Sequence, residues 1–263
     1  MKLNTEKIIA RKDGKIGWMI INNPEKRNAI SFSMREAMTQ VFNEYDKDPE
    51  VRVLILRGSG GKAFISGADI SEFKDIRSNY DAKEKYAKAT EIMTKAMNAF
   101  KKPILAMIEG YCVGGGVATA IACDMRIATK DTKYGIPAAK LGLAYGFDNL
   151  RQLVELVGPS NAKRILFTGD LIDADDAHRI GLVDELCALD ELEDKVLSIA
   201  DKISANAPLT VLASKETVKH VLRPEIRDHQ KLKEMAKICF DSDDYREGRE
   251  AFMEKRKPEF KGR

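Results

Sequence analysis

The segment Gly110-Tyr111-Cys112-Val113-Gly114-Gly115-Gly116 is where this chain first suggests chemistry. Consecutive glycines let backbone N–H groups approach a ligand with no side chain in the way. At a helix start those N–H groups are unpaired and lie at the positive end of the helix dipole. An anion or a developing oxyanion is the guest that such a turn suits. The spacing is not G-x-G-x-x-G, and Gly61-Lys62-Ala63 lacks both the earlier glycine and the Ser/Thr of a P-loop. A tight turn with close helix packing explains three glycines equally well, so the triplet alone leaves both readings open. Metal and thiol chemistry have less support. Cys112, Cys123, Cys187 and Cys239 show no C-x-x-C spacing, and His178, His220 and His229 are not placed beside them as ligands. The cysteines read as reduced, small core hydrophobes of a cytoplasm-like compartment.

The elements that must position such a turn follow from periodicity. Lys7–Arg11 and Ile16–Ile21 read as a hairpin around Asp13-Gly14. Met34, Met38, Val41, Phe42 and Tyr45 share one helical face, with Ser31 or Ser33 as the cap. Val51–Leu56 is a buried strand ended by Gly58-Ser59-Gly60-Gly61, which gives a β–α–β rhythm. After a polar stretch around Arg77–Lys88, helical spacing resumes through Ile92, Met93, Ala96, Met97 and Phe100 until Pro103 blocks it. Ile104–Ile108 is the next core strand, and it runs directly into the glycine turn. From about Asn149 the pattern is mostly helical, with one stripe through Leu192, Val196, Ala200 and Ile203 and another through Leu232, Met235 and Cys239.

The chain of 263 residues carries 44 basic and 41 acidic side chains, a formal charge of only +3, which argues against a nucleic-acid binder held by bulk charge. At 44% hydrophobic and 32% charged residues it has the apolar material for a sizeable core. The polar start MKLNTEKIIARKDGK lacks the apolar stretch of a signal peptide, and runs such as Ile104–Ile108 are too short to cross a bilayer, so no membrane role is expected and the location reads as cytoplasmic.

Further motifs decide between the readings of the glycine turn. In order along the chain stand Asn23-Pro24-Glu25-Lys26-Arg27-Asn28-Ala29, Lys62-Ala63-Phe64-Ile65-Ser66-Gly67-Ala68-Asp69-Ile70, the glycine turn and Tyr134-Gly135-Ile136-Pro137. Gly181-Leu182-Val183 and Glu254-Lys255-Arg256-Lys257-Pro258 follow. Together they resemble the crotonase superfamily, the enoyl-CoA hydratase/isomerase family. The resemblance implies an α/β fold: a spiral of ββα units over 1–195, then a C-terminal helical region over 196–263 that assembles trimers, often paired into hexamers. It implies acyl groups carried as coenzyme A thioesters and no tightly bound cofactor. The backbone N–H groups of Ala68 and Gly115 would form the oxyanion hole. Lys26, Arg27, Ala29, Ala68, Asp69 and Ile70 would hold the coenzyme A arm. Lys255 matches a lysine that reaches the coenzyme A phosphates, with a neighbouring subunit as one possible source.

The chain departs from the hydratase pattern at two places. Typical family hydratases use two glutamates to activate water and protonate the α-carbon. The matching positions here are Ala118 and Ala138, and alanine transfers no proton. In the following segment Tyr145 and Asp148 replace a proline- and glycine-rich loop, and a tyrosine there looks like that of the methylmalonyl-CoA decarboxylase branch. The expected reaction is therefore decarboxylation or C–C cleavage through a thioester enolate, with Tyr145 as orienting group or acid. Two alternatives stand beside it: a divergent hydratase or isomerase using Asp148 or Glu109, and a non-catalytic acyl-CoA binder. Tyr145 could also pack as a half-buried aromatic, and Asp148 could cap a helix starting near Leu150.

Overall fold

Two short antiparallel strands open the chain, β1 (Ile8–Asp13) and β2 (Ile16–Ile21), joined through Gly14 in the left-handed region. The computed structural model describes residues 1–72 and 80–263, so part of the polar stretch Arg77–Lys88 lies outside the described residues. Helix α1 (Phe32–Lys47) follows, capped by Ser31, whose hydroxyl accepts the Met34 N–H. Of the two candidate caps Ser31 is the one used, and the buried face is the one the spacing predicts, with Arg35 and Ala37 added to it.

Three strand pairs come next: β3 (Val53–Gly58) with β4 (Ala63–Ile65), β5 (Ile104–Ile108) with β6 (Tyr111–Val113), and β7 (Met125–Thr129) with β8 (Lys133–Gly135). Helix α2 (Tyr80–Ala99) lies between the first and second pairs, and α3 (Gly115–Ile121) between the second and third. The first strand of each pair joins a large sheet of order β1-β2-β3-β5-β7-β10, and the second joins a small sheet of order β4-β6-β8-β9, where β9 is Ile172–Asp173 and β10 is Glu185–Cys187. Each pair thus advances one place in both sheets, and the repeated step winds the chain into the expected spiral. The strands β3, β5 and β7 are parallel and almost wholly buried, which is why β3 and β5 read as apolar runs and not as alternating ones; β7, with Arg126 and Thr129, carries no such run.

Helix α4 (Phe147–Thr168) is broken at Gly158, which has φ 76° and ψ 161° and precedes Pro159. Beyond it lie β9 (Ile172–Asp173), α5 (Ala174–Arg179) and β10 (Glu185–Cys187). These two short strands fall where the sequence reads as helical, and β10 extends the large sheet beyond β7. Helices α6 (Leu192–Ala205), α7 (Pro208–Leu222), α8 (His229–Asp241) and α9 (Asp243–Glu254) complete the chain.

One core packs α1, α2 and α3 between and around the sheets, where Phe42 and Phe100 meet edge to face at 5.7 Å. Truncating either ring to alanine would cost about 3–5 kcal/mol. A second core seals the other face of the large sheet, with Trp18, Ile55 and Leu105 under Leu192, Val196 and Ala200 of α6. The boundary between 195 and 196, where the sequence places the start of the helical region, therefore lies inside a helix that packs on the sheet. Among the described residues no helix is long and apolar enough to cross a membrane.

Candidate functional site

Two turns meet at the exit end of the parallel strands. In the first, Ile30 pairs with Ala68 as an isolated parallel bridge: Ile30 N–H donates to the Gly67 carbonyl at 2.8 Å, and Asp69 N–H donates to the Ile30 carbonyl at 3.0 Å. That pattern uses the groups flanking Ala68, so the Ala68 N–H points away from Ile30. In the second, Gly114 N–H donates to the Gly135 carbonyl at 2.8 Å, and α3 begins at Gly115. The Gly115 N–H is then a first-turn donor with no intrahelical partner. A methyl group built on Gly115 would stand 3.9 Å from the Ala68 nitrogen. Neither N–H has an acceptor among the described residues. The two donors predicted to form an oxyanion hole are thus brought together.

Glycine is required at this junction for steric reasons. Gly114 has φ 56° and ψ −112°, a conformation in which a side chain is strained. At Gly116 a Cβ would lie 2.0 Å from the Ile65 carbonyl oxygen, so helix α3 can sit against β4 only without one.

A cavity of about 160 Å³ opens at this junction, lined by Gly67, Ala68, Gly115 and Ala118 and by groups from α1, α2 and α4. Among the described residues that line it there is no aspartate or glutamate; the polar ones include Arg35, Thr94, Asn98, Asn149 and Gln152. A larger groove of about 800 Å³ lies elsewhere, along α8 and α9, and is lined by apolar groups such as Phe240, Phe252 and Met253. Neither of the two N–H donors reaches it.

The loop beside Ala68 carries the expected binding residues. Lys26 Nζ donates to Asp69 Oδ2 and to Ser71 Oγ, both at 2.8 Å. Asp69 also accepts the Ser71 N–H and hydroxyl. Burial alone would raise the Asp69 pKa, but the bonds from Lys26 and Ser71 outweigh it and hold the carboxyl below its usual range. Arg27 is left-handed, with its guanidinium 5.6 Å from the centre of the exposed Tyr111 ring. Ala29 is buried. Ile70 starts a short 3-10 turn, and its side chain lies outside the described residues. Asn28, which sequence reasoning passed over, is the buried hub of this loop: its amide donates to the Ser59 and Ala63 carbonyls, and its oxygen accepts the Asn23 N–H. The available signal was the residue type, since asparagine tolerates the left-handed region that it adopts here with φ 58°.

Other expected residues are placed differently. Tyr145 is half-buried and packs against the main core, and its hydroxyl is enclosed with no hydrogen-bond partner among the described residues. Burial, with the Cys112 thiol as a lesser influence, pushes its pKa above the usual tyrosine value. It does not line the cavity described above. Asp148 is 70% exposed at its side chain, within loose ion-pair distance of Arg151 and Arg223. Helix α4 begins at Phe147, three residues before the expected start, so Asp148 lies inside the first turn and makes no cap. Glu109 accepts a bond from Arg57 at 2.9 Å. Cys112 is fully buried and its thiol pKa is pushed up by burial, which removes it as a nucleophile.

Lys255 caps the C-terminal end of α9 in a left-handed conformation. The tail after it is anchored where Arg52 Nη2 donates to the Phe260 carbonyl at 2.7 Å, at the entry end of β3. The Lys26–Ala29 loop is tied to Ser59 at the exit end. The six residues of β3 span roughly 20 Å between the two.

Comparison with known proteins agrees with this geometry. The model of a family described as enoyl-CoA hydratase/isomerase matches residues 11–263. The chain is 36% identical to a short-chain-enoyl-CoA hydratase of Clostridium acetobutylicum over the full length of both, and 36% identical to a crotonyl-CoA hydratase of Syntrophomonas wolfei over 97% of this chain and 98% of that one. Among solved structures, an enoyl-CoA hydratase/carnithine racemase from Magnetospirillum magneticum superposes with a TM-score of 0.93 at 32% identity, covering 99% of this chain and 97% of the other. The chain therefore belongs to the enoyl-CoA hydratase/isomerase family, the crotonase superfamily.

Proposed function

We propose that this protein processes acyl-CoA thioesters by forming an enolate through loss of CO2 or cleavage of a C–C bond, and not by ordinary hydration. The observation that carries the reading is the pair of N–H groups at Ala68 and Gly115, without acceptors among the described residues, on two residues that line a cavity whose described lining holds no carboxylate. In the decarboxylation version, the electron pair of the breaking C–C bond moves into the thioester and CO2 leaves. The enolate oxygen accepts the two N–H bonds, each worth about 2.7–4 kcal/mol in such sites. A proton then returns to the α-carbon. No base is needed for the first step, which fits alanine at positions 118 and 138. The enclosed Tyr145 hydroxyl, which stays protonated, would orient the carboxylate or supply that proton once the substrate reaches it. Lys26, Arg27, Ala29, Asp69 and Ile70 would cradle the coenzyme A arm. Lys255, whose following tail is anchored at the far end of β3, would serve the site of a neighbouring subunit in a trimer or hexamer.

The test compares CO2 release from malonyl- and methylmalonyl-CoA with absorbance loss of crotonyl-CoA on the purified protein. Release from the first two with crotonyl-CoA unchanged is the expected result. A Tyr145→Phe variant should lose on the order of 10²-fold in turnover, and equal turnover would sink the role given to Tyr145. The second reading, a divergent hydratase, is favoured by the activities for which the relatives from Clostridium and Syntrophomonas are named. Crotonyl-CoA hydration abolished by Asp148→Asn would establish it in place of the first.

A further inference from the structure

Arg35 is an unusual residue to find in the wall of this cavity. It sits in the first turn of α1 and is only 6% exposed. No carboxylate lies within ion-pair distance of it among the described residues. Its guanidinium donates through Nη1 to the Ile30 and Ser31 carbonyls, at 2.9 and 2.8 Å, and through Nη2 to the Tyr86 hydroxyl at 2.5 Å. A guanidinium has five N–H donors. Here Nε–H is buried with no partner among the described residues, and one Nη2 hydrogen is also unused. Glu72, an acid that influences Arg35 from nearby, accepts the Phe32 N–H at its Oε2.

Among the described residues Glu72 acts on this guanidinium from a distance and the Tyr86 ring from 4.3 Å, but no carboxylate is in ion-pair contact with it, an arrangement that is costly for a buried cation. Its location suggests what would compensate. The Ile30 carbonyl that accepts from Arg35 is the same one that accepts the Asp69 N–H, so the guanidinium lies one residue's hydrogen bond away from Ala68. The remaining polar groups of the described lining, Thr90, Thr94, Asn98, Thr119, Asn149 and Gln152, are neutral. A site whose described lining holds one cation, neutral amides and hydroxyls and no acid is suited to an anionic acyl group.

We propose that Arg35 is a specificity-determining residue whose guanidinium binds a carboxylate carried by the acyl group, so that the site takes thioesters of dicarboxylic acids over their uncharged counterparts. The proposal rests on the acyl-CoA reading above and not on which bond is broken.

Equilibrium titration of the full-length protein with succinyl-CoA and with butyryl-CoA tests it, because succinyl-CoA has no carboxylate β to its thioester carbonyl and so forms no enolate by losing CO2. The wild type should bind succinyl-CoA tighter by about tenfold or more, the worth of a charged hydrogen bond. Arg35→Met should abolish that preference while leaving butyryl-CoA affinity within about twofold. Equal affinities in the wild type, an unchanged preference in Arg35→Met, or a folded variant that weakens both thioesters in proportion would each overturn the assignment, the last by showing a mere brace for Ile30 and Ser31. Should Arg35→Met fail to fold, Arg35→Lys, which keeps the charge but not the fork, should retain part of the preference, and the wild-type comparison still decides. A wild type that binds neither thioester nor coenzyme A would overturn the acyl-CoA reading itself.

Discussion

Gly114 and Gly116 stand two residues apart and need glycine for different reasons. The first has a backbone conformation that side chains rarely adopt; the second lies in contact with the Ile65 carbonyl. Gly116→Ala should therefore destabilise the fold by about 1–3 kcal/mol through overpacking, read as a lower urea midpoint. It should also cut activity, because β4 leads directly into Gly67 and Ala68. An unchanged midpoint would show that β4 yields to the methyl. Of the residues at this site, the glycines were legible in the sequence because their backbone demands are local. Arg35 was not. It lies beside Met34 on the helix, where an arginine reads as solvent-facing, and its burial depends on Ile30 and on Tyr86, 51 residues away.

Helix α4 shows how an element's start decides a site. Because it begins at Phe147, residues 149 and 152 share a face three apart and reach the cavity, while Asp148 turns about 100° away from Asn149 and points outward. The loop chemistry around Tyr145 was readable, but the three-residue shift in register was not, since Gly146 caps without a side-chain bond. At the other end of the chain, α9 is held to the tail by Glu247, which accepts from Arg256 at 2.6 and 2.9 Å and from the Glu259 N–H at 2.8 Å. The Arg256 guanidinium, helped by the Glu259 N–H, lowers the Glu247 pKa to about 2. A lowered folded-state pKa means that the stabilisation is present above the unfolded value of about 4.3 and is lost as pH falls toward 2. The melting temperature of the wild type should thus drop more steeply over that window than that of Glu247→Gln. Parallel curves would show that this clasp adds nothing measurable, as is common for exposed pairs.

On the scale of the whole molecule, α8 buries none of its residues in the single chain, and Phe252 and Met253 of α9 are 82% and 80% exposed beside the apolar groove. Large exposed apolar patches mark interaction surfaces. We expect this face to hold the assembly that the family resemblance implies. A double change, Phe252→Asp with Met253→Asp, should shift the mass measured by light scattering to that of a monomer of 29.4 kDa; an unaltered oligomer would place the interface elsewhere. What the sequence by itself determined was the order of the motifs, the spiral that they imply, the buried face of α1, the strand at 104–108 and the glycines of the turn. All of these rest on periodicity, capping and left-handed backbone, which are written within a few neighbouring residues. Only the tertiary structure decided that Ala68 and Gly115 are brought side by side, that Arg35 is enclosed, that the Tyr145 hydroxyl is shut in beside the core and that the tail after Lys255 is anchored at the opposite end of β3 from the Lys26–Ala29 loop. Each of those depends on contacts between distant segments, as far apart as the 208 residues between Arg52 and Phe260, and no local pattern specifies which of them will meet.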